Sequence, residues 1–458
     1  MRKIKDVKNK IVITYCIPYF AKGIFTVMIS NYLVYFYQPS EQSGLPIIIV
    51  QGVVFLGILT VIGVIKSIGD ILDIFTDPIV ASISDKCTHK DGRRIPFMKY
   101  SAIPYAICAF MIFCAPSNAP SVLNNIWIAI FIWGYFIFYT LYMIPYLALL
   151  PEMITNSNQR VNAYTMGSFA FVTGSGVGYT APVIVEAFKN LGLTPILAWR
   201  GTFAIFAIVG GLLLFIPTMI IKEKDYVHSV KPKDSIIKSI KHIFKNKNFV
   251  WAITGQLLEG TGMAFFQTSL MYYLVSLLDL PEEASVWALA IVLVGSLILY
   301  PAINKLMKRK GKKLPLIIGC IIFILTEFTI FLGADLPIDN NFKAVIMALM
   351  VAMPYAVFNI IPSSMIADII EYDTIVTGIN EEGAFSAVKS FTIKISQSMA
   401  IMIAPSLIII GAINGENIGR FGVKLTALIG GILCVASIFA FYKYDEREIF
   451  KKIREKES

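Results

Sequence analysis

Twelve long apolar runs, separated by short polar stretches that turn basic at every second gap, leave this 458-residue chain few folds to choose from. They cover roughly 11–37, 46–84, 96–115, 122–150, 161–187, 198–221, 249–278, 284–306, 314–334, 343–370, 384–411 and 422–442. A helix needs about 20 mostly apolar residues to cross a bilayer. In lipid each backbone N–H and C=O must be satisfied within its own segment, so runs of this length and spacing read as helices. Charged residues make up only 15% and the mean hydropathy is +0.70, which in water would leave large apolar patches exposed. The expected fold class is an all-α membrane protein with 12 transmembrane helices, surrounded by lipid and multi-pass in the cell (inner) membrane. The second run is too long for one straight span. Its start, SEQSGLP at 40–46, is expected to be an extracellular or interfacial piece leading into a tilted helix.

The basic clusters orient the runs. Arg2, Lys3, Lys5, Lys8 and Lys10 precede the first; Lys86, Lys90, Arg93 and Arg94 follow the second; Lys222 to Lys247 follow the sixth; Lys308 to Lys313 follow the eighth; and the tail from Lys443 onward is charged. The other loops carry few Lys or Arg, so the positive-inside rule puts both termini in the cytoplasm. The net charge of +10 is thus a signature of membrane orientation, and no nucleic-acid partner is expected. The N-terminal MRKIKDVKNK runs into a full-length apolar segment, expected to stay as the first helix rather than be cleaved as a signal peptide. The organisation expected is a six-helix bundle over 1–221, a cytoplasmic basic linker over 222–248, a second bundle over 249–443 and a cytoplasmic tail over 444–458. Within the linker, DSIIKSIKHIFKNK reads equally as an amphipathic helix on the inner leaflet or as a solvated connection, with His228 and His242 on its surface. The halves echo each other. Asp85-Lys86 and Gly92-Arg93-Arg94 match Asn304-Lys305 and Gly311-Lys312-Lys313, 219 residues apart, and Ile144-Pro145 matches Ile361-Pro362, 217 apart. Two near-equal offsets indicate a repeat of six helices, an architecture associated with transporters whose site lies at the midplane between the halves.

The second run holds charges that lipid should exclude. Lys66, Asp70, Asp73 and Asp77 are spaced 4, 3 and 4 and so share one helix face. Each charge at a helix centre costs about 2.5–3.5 kcal/mol on insertion scales. Lys66 can offset Asp70 one turn on. That leaves Asp73 and Asp77, which either bind a proton, hold a monovalent cation, or bridge to another helix. Pro78 removes a backbone hydrogen bond just past them. Three lysines, Lys22, Lys389 and Lys394, also fall inside apolar runs and are candidates for a cavity. Asp368, Glu371 and Asp373 in IADIIEYD, with Glu381 and Glu382 in NEEGAF, form a second charged group. Opposite it, Arg93, Arg94 and Arg160 could latch an inner gate by ion pairs between halves; the alternative is an ordinary solvated loop. The six cysteines show no metal or redox spacing and read as small core residues.

These residues resemble the glycoside–pentoside–hexuronide:cation symporters, whose best-known member is the melibiose permease. The matches are D-x-x-x-D-P at Asp73, Asp77 and Pro78; S-D-K and G-R-R-I-P between Ser84 and Pro96; YTLYMIPYLALLPEM over 139–153, followed by Arg160; ADIIEYD from Ala367; and EEGAFSAVKSFTIK ending at Lys394. The resemblance covers essentially the whole chain. It implies a major facilitator fold of two pseudo-symmetric bundles, alternating access, and uptake of a sugar or glycoside with Na⁺, Li⁺ or H⁺. It implies a cation site at Asp73, Asp77 and Thr140, and a substrate cavity near Lys394 and Tyr139. It also exposes departures. Where the melibiose permease holds galactosyl hydroxyls with two acids, Gly23 and Met143 stand here; an arginine of its fifth helix falls on Ser168; and Lys389 replaces a neutral polar residue. A pentoside or hexuronide cargo is expected over a galactoside. A lysophospholipid or other amphipathic anion on the same fold is the second expectation, and a non-transporting membrane sensor a remote third. No enzyme is expected, since the runs hold no His or Cys cluster and no nucleophile–base pair. No cofactor beyond the coupling ion is implied, and a monomer suffices.

Overall fold

The computed structural model describes residues 7–50, 53–55, 59–154, 157–226, 242–378, 382–412 and 418–457. The chain divides into two compact units, Met1–Lys231 and Pro232–Ser458. The boundary falls inside the 222–248 connection, whose residues 227–241 lie outside the described ones, as does His228.

In unit 1, α1 (Asn9–Val27) continues through a π-helical turn, Met28–Tyr32, into α2 (Leu33–Tyr37). A 3₁₀ turn at Glu41–Ser43 and two short antiparallel strands, β1 (Val53–Phe55) and β2 (Leu59–Thr60), fill the first part of the overlong second run. The helix itself, α3 (Val61–Lys86), starts only at Thr60, whose hydroxyl accepts from the Gly63 N–H at 3.3 Å. Then follow α4 (Ile95–Met111), α5 (Val122–Met153), α6 (Ser157–Tyr179), α7 (Ala181–Asn190) and α8 (Pro195–Ile220). Unit 2 holds α9 (Lys247–Tyr272) with its own π-helical turn at Tyr273–Leu277, α10 (Ala284–Lys310), α11 (Lys313–Gly333), α12 (Asn340–Thr377), α13 (Glu382–Ile408), α14 (Arg420–Lys443) and α15 (Glu446–Glu457).

The repeat read from two short echoes extends to the packing. In unit 1 the main helix pairs are α1 with α6, α1 with α8, α3 with α5, α4 with α5 and α4 with α8. Unit 2 pairs α9 with α13, α9 with α14, α10 with α12, α11 with α12 and α11 with α14. Numbering the six long helices within each unit gives the same five pairings. In both units, too, the first long helix ends in a π-helical turn.

The glycine echo has a physical cause. Gly92 and Gly311 both have positive φ, +123° and +85°. A Cβ on Gly92 would lie 2.2 Å from a Glu223 carboxylate oxygen, and one on Gly311 would lie 2.6 Å from that of Glu446. Glu223 accepts from the N–H groups of Arg93, Arg94 and Ile95 at 2.8, 2.8 and 3.0 Å. Glu446 accepts from those of Lys312 and Lys313 at 2.5 and 3.3 Å. Each carboxylate satisfies free amides at the start of its unit's third long helix and opposes the positive end of that helix's dipole.

Among the described residues, nine helical segments are long and apolar enough to cross a membrane, and each coincides with an expected run. Helices α3, α4 and α9 occupy the other three runs. The first is diluted by Lys66 and its aspartates, the second has 17 residues, and the third carries Gln256, Glu259 and Gln267. The tail beyond Lys443 is helical, with Ile449 fully buried.

Candidate functional site

The charged face of α3 is turned inward in unit 1. Lys66, Asp70 and Asp73 are 4, 7 and 3% exposed, whereas Ile71, Phe75 and Ile79, one turn apart on the other side, are 51, 68 and 56% exposed. That division keeps Lys66, Asp70 and Asp73 buried: the apolar stripe of the helix is exposed and the charges face α5. The approach is close because Gly69 lacks a side chain. A Cβ there would lie 2.6 Å from the Phe136 ring of α5. Phe136 in turn sits 4.9 Å beneath the Lys66 ammonium.

Lys66 and Asp70 form a hydrogen-bonded ion pair, as their spacing indicated. The second Asp70 oxygen, Oδ2, has no hydrogen-bond partner among the described residues. One turn beyond Phe136, the fully buried Thr140 donates its hydroxyl to Asp73 Oδ1. Thr76 stands beside them, donating to the Asp73 carbonyl at 3.2 Å and lying 3.3 Å from the Thr140 hydroxyl. Asp77, half-buried, follows Asp73 by one turn. Pro78 lies inside the helix and leaves the carbonyl four residues back without its usual donor. The structure therefore brings Thr140 to Asp73 on the face that also carries Asp77. Oxygen-only groups of this kind suit a hard monovalent cation. Among the described residues no three His, Cys, Asp or Glu side chains gather as a multivalent metal would require.

An aromatic cluster borders this site. Tyr139 stacks on Tyr135, with ring centroids 6.4 Å apart at 12°, and meets Tyr105 edge-on at 5.8 Å. Lys22 of α1 is half-buried, with its ammonium 5.8 Å from the Phe171 ring of α6. Gly23 packs against the backbone of α6, where a Cβ would fall 2.3 Å from the Phe171 carbonyl oxygen, so it is a helix-crossing glycine. Met143 is 1% exposed and Ser168 is exposed. In unit 2, Lys389 donates to the Ser363 hydroxyl at 2.7 Å and Lys394 is half-buried.

Of the charges expected to latch a gate between halves, Arg93, Arg94, Asp368 and Asp373 have partners within their own units. Arg94 bonds Asp85 at 2.5 Å and Glu152 at 2.6 Å, and Arg93 bonds Glu152 at 3.3 Å. Burial disfavours the Arg94 charge, but Glu152 and Asp85 outweigh it and hold the guanidinium above its ordinary pKa. Lys312 bonds Asp368 at 2.5 Å, and Asp373 accepts from Asn246 at 2.9 Å. Glu371 is exposed. Glu381 and the side chains of Arg160 and Glu382 lie outside the described residues.

Residues 14–445 match the family described as MFS/sugar transport protein. The chain belongs to that family. It is an integral membrane transporter of the major facilitator superfamily, and not an enzyme. Two curated relatives are the raffinose carrier protein of Pediococcus pentosaceus, 22% identical over 81% of this chain and 58% of its own length, and the isoprimeverose transporter of Lactiplantibacillus pentosus, 23% identical over 83% and 76%. The chain thus matches little more than half of the first relative's length. A solved nucleoside transporter, NupG, shares the fold, with a TM-score of 0.62 at 13% identity over 97% of this chain and 100% of that one.

Three features of this chain are contacts or burials that its local sequence pattern does not announce. Tyr15 and Tyr146 donate to each other's carbonyls at 2.8 and 2.5 Å and stack at 4.4 Å, stitching α1 to α5. Glu223 and Glu446 cap helices 128 to 134 residues away. Glu259 and Glu327 are buried inside α9 and α11. Only these last two leave a trace in that pattern, a lone acid within an apolar run.

Proposed function

We propose that this transporter takes up a sugar or glycoside together with a monovalent cation, Na⁺ or H⁺, by alternating access through twelve spans with both termini in the cytoplasm. The observation that carries the cation part is the hydrogen bond from Thr140 to Asp73. It brings a neutral oxygen from α5 onto a carboxyl of α3, on the face that presents a second carboxyl at Asp77. Two acids in lipid are costly when nothing occupies them, so a bound cation or proton is favoured. Asp73, Asp77 and Thr140 are the proposed cation seat. Tyr139, Lys22, Lys389 and Lys394 are the proposed substrate contacts, with Met143 beside Tyr142 on α5. Glu371, Arg160 and Glu382 remain candidates for the charge network. Names of relatives support a sugar, and the residues standing where a galactoside's acids would be support a pentoside or hexuronide.

The test is uptake by proteoliposomes of a panel of glycosides, pentosides, hexuronides and lysophospholipids, each with Na⁺, Li⁺ or K⁺ at two pH values. A sugar accumulated only with one cation is expected. Asp73→Asn and Asp77→Asn should each abolish accumulation; undiminished uphill uptake by both would reject the cation seat. Transport of lysophospholipids alone would replace the sugar reading.

A further inference from the structure

Unit 2 holds a carboxyl group for which the proposed symport has no use. Glu327 of α11 is 1% exposed, and neither of its oxygens has a hydrogen-bond partner among the described residues. It lines a small, partly enclosed pocket of about 10 Å³ with Ser269 of α9, Tyr273 of the following turn, Ile330, and Thr426 and Ala427 of α14. Gly430 and Gly431 of α14 pack beside it: a Cβ on the first would lie 3.6 Å from the Glu327 carboxyl.

The second observation is Ser269. Buried hydroxyls in these helices bond a carbonyl three or four residues back, as Ser67, Thr261, Thr326 and Thr426 do. Ser269 is 6% exposed and bonds nothing among the described residues, although it lines the same cavity. Two buried polar groups without partners thus share one small space.

An ionised carboxylate there would lack every form of compensation. The cavity is at most the size of one water, too small to hydrate an anion. Its other titratable lining group is Tyr273, and no cation lines it. The ions on neighbouring elements are engaged: Lys424 of α14 with Asp335, and Lys343 of α12 with the Ala334 carbonyl and Asn340. From α10 no side chain reaches the cavity. Glu259 lies ten residues before Ser269 on α9, about 15 Å along the axis. Leaving a bare charge in such a place costs several kcal/mol, whereas a neutral acid needs only one acceptor for its O–H, and the Ser269 hydroxyl is available on the cavity wall.

We propose that Glu327 is a proton-binding site of unit 2, held as the neutral acid while the first, third and sixth long helices of that unit are closed around it. Its one proton leaves to water, and the carboxylate takes it back, only when that contact admits water. The chain then carries a titrating site separate from Asp73 and Asp77, whatever its cargo.

Infrared spectroscopy of the full-length protein in lipid tests this without reference to transport, so it can fail or succeed independently of the symport reading. At neutral pH a carboxylic-acid C=O band is expected, lost in Glu327→Gln and retained at a shifted frequency in Glu327→Asp. The aspartate variant decides the matter if the glutamine variant does not fold. A band unchanged in either variant, or only carboxylate absorption from Glu327 at neutral pH, overturns the proposal.

Discussion

Among individual side chains, hydrogen-bond partners set two equally buried aspartates of α3 apart, Asp70 beside Lys66 and Asp73 beside Thr140. Asp70 is committed to Lys66 in a space that is almost dry. Removing one partner of a buried pair typically costs about 3–5 kcal/mol, whereas replacing both with apolar groups is often neutral. Lys66→Met is therefore expected to lower the melting temperature sharply, and Lys66→Met with Asp70→Leu to restore most of it, as measured by thermal unfolding in detergent. Thr140 donates to a charged acceptor, a bond worth roughly 1.5–3 kcal/mol. Thr140→Val should weaken apparent affinity for the coupling ion by roughly 10- to 100-fold, measured as the cation concentration for half-maximal uptake. Asp335 offers a pH test outside the membrane. The bond from Lys424 holds its carboxyl below the ordinary value of 3.8. A carboxylate lowered in the folded state adds stability above its unfolded pKa, and loses it as pH falls through the folded one. The pair is exposed on the aspartate side, so the gain should be under about 1 kcal/mol. The melting difference between Lys424→Gln and the parent should vanish on acidification below that range.

Between helices, glycine sets the closest approaches. Gly23 and Gly174 face each other's helices across the α1–α6 crossing, and a Cβ on Gly174 would fall 2.0 Å from the Phe20 carbonyl oxygen. Backbone cannot yield as a side chain can, so the helices would have to separate. Gly174→Ala is expected to destabilise by about 1–3 kcal/mol; Gly176→Ala, with nothing within 4 Å, should be harmless, with protein yield and melting temperature as the readouts. The carboxylate caps act at the same scale. Glu223→Gln keeps the shape but loses the charge at the start of α4, a loss of about 0.5–2 kcal/mol.

Across the whole molecule, the same five helix pairings occur in both units. Each unit carries its own cap, its own positive-φ glycine and its own ion pairs at the corresponding loop. A chain cut between Lys231 and Pro232 and co-expressed as two pieces should therefore insert with each piece holding a protease-resistant core. Rapid degradation of either piece would show that its unit depends on the other.

How much of this could be read beforehand follows from the range of each interaction. Helix positions and the charged face of α3 depend on hydrophobic length and on spacings of three and four residues, both local quantities. Lys66 meeting Asp70 is likewise a contact within one helix, and the repeat was legible because two halves of one chain preserve the same local motifs. Partners that lie far apart in sequence left no such trace. Nothing local assigns Glu223 to the amides of residues 93–95, brings Gly23 against the backbone of α6, or gives Arg94 to Glu152. Thr140 was placed beside Asp73 by family resemblance, and it took the packing of α5 against Gly69 to bring the hydroxyl to the carboxyl. By itself, the sequence determined that the chain is a multi-span helical membrane protein and where the charges within its apolar runs lie. Only the tertiary structure decided which charge meets which, because a buried ion or hydroxyl is satisfied by whatever the neighbouring helix presents at its level, and that depends on side-chain volume at the crossing rather than on order along the chain.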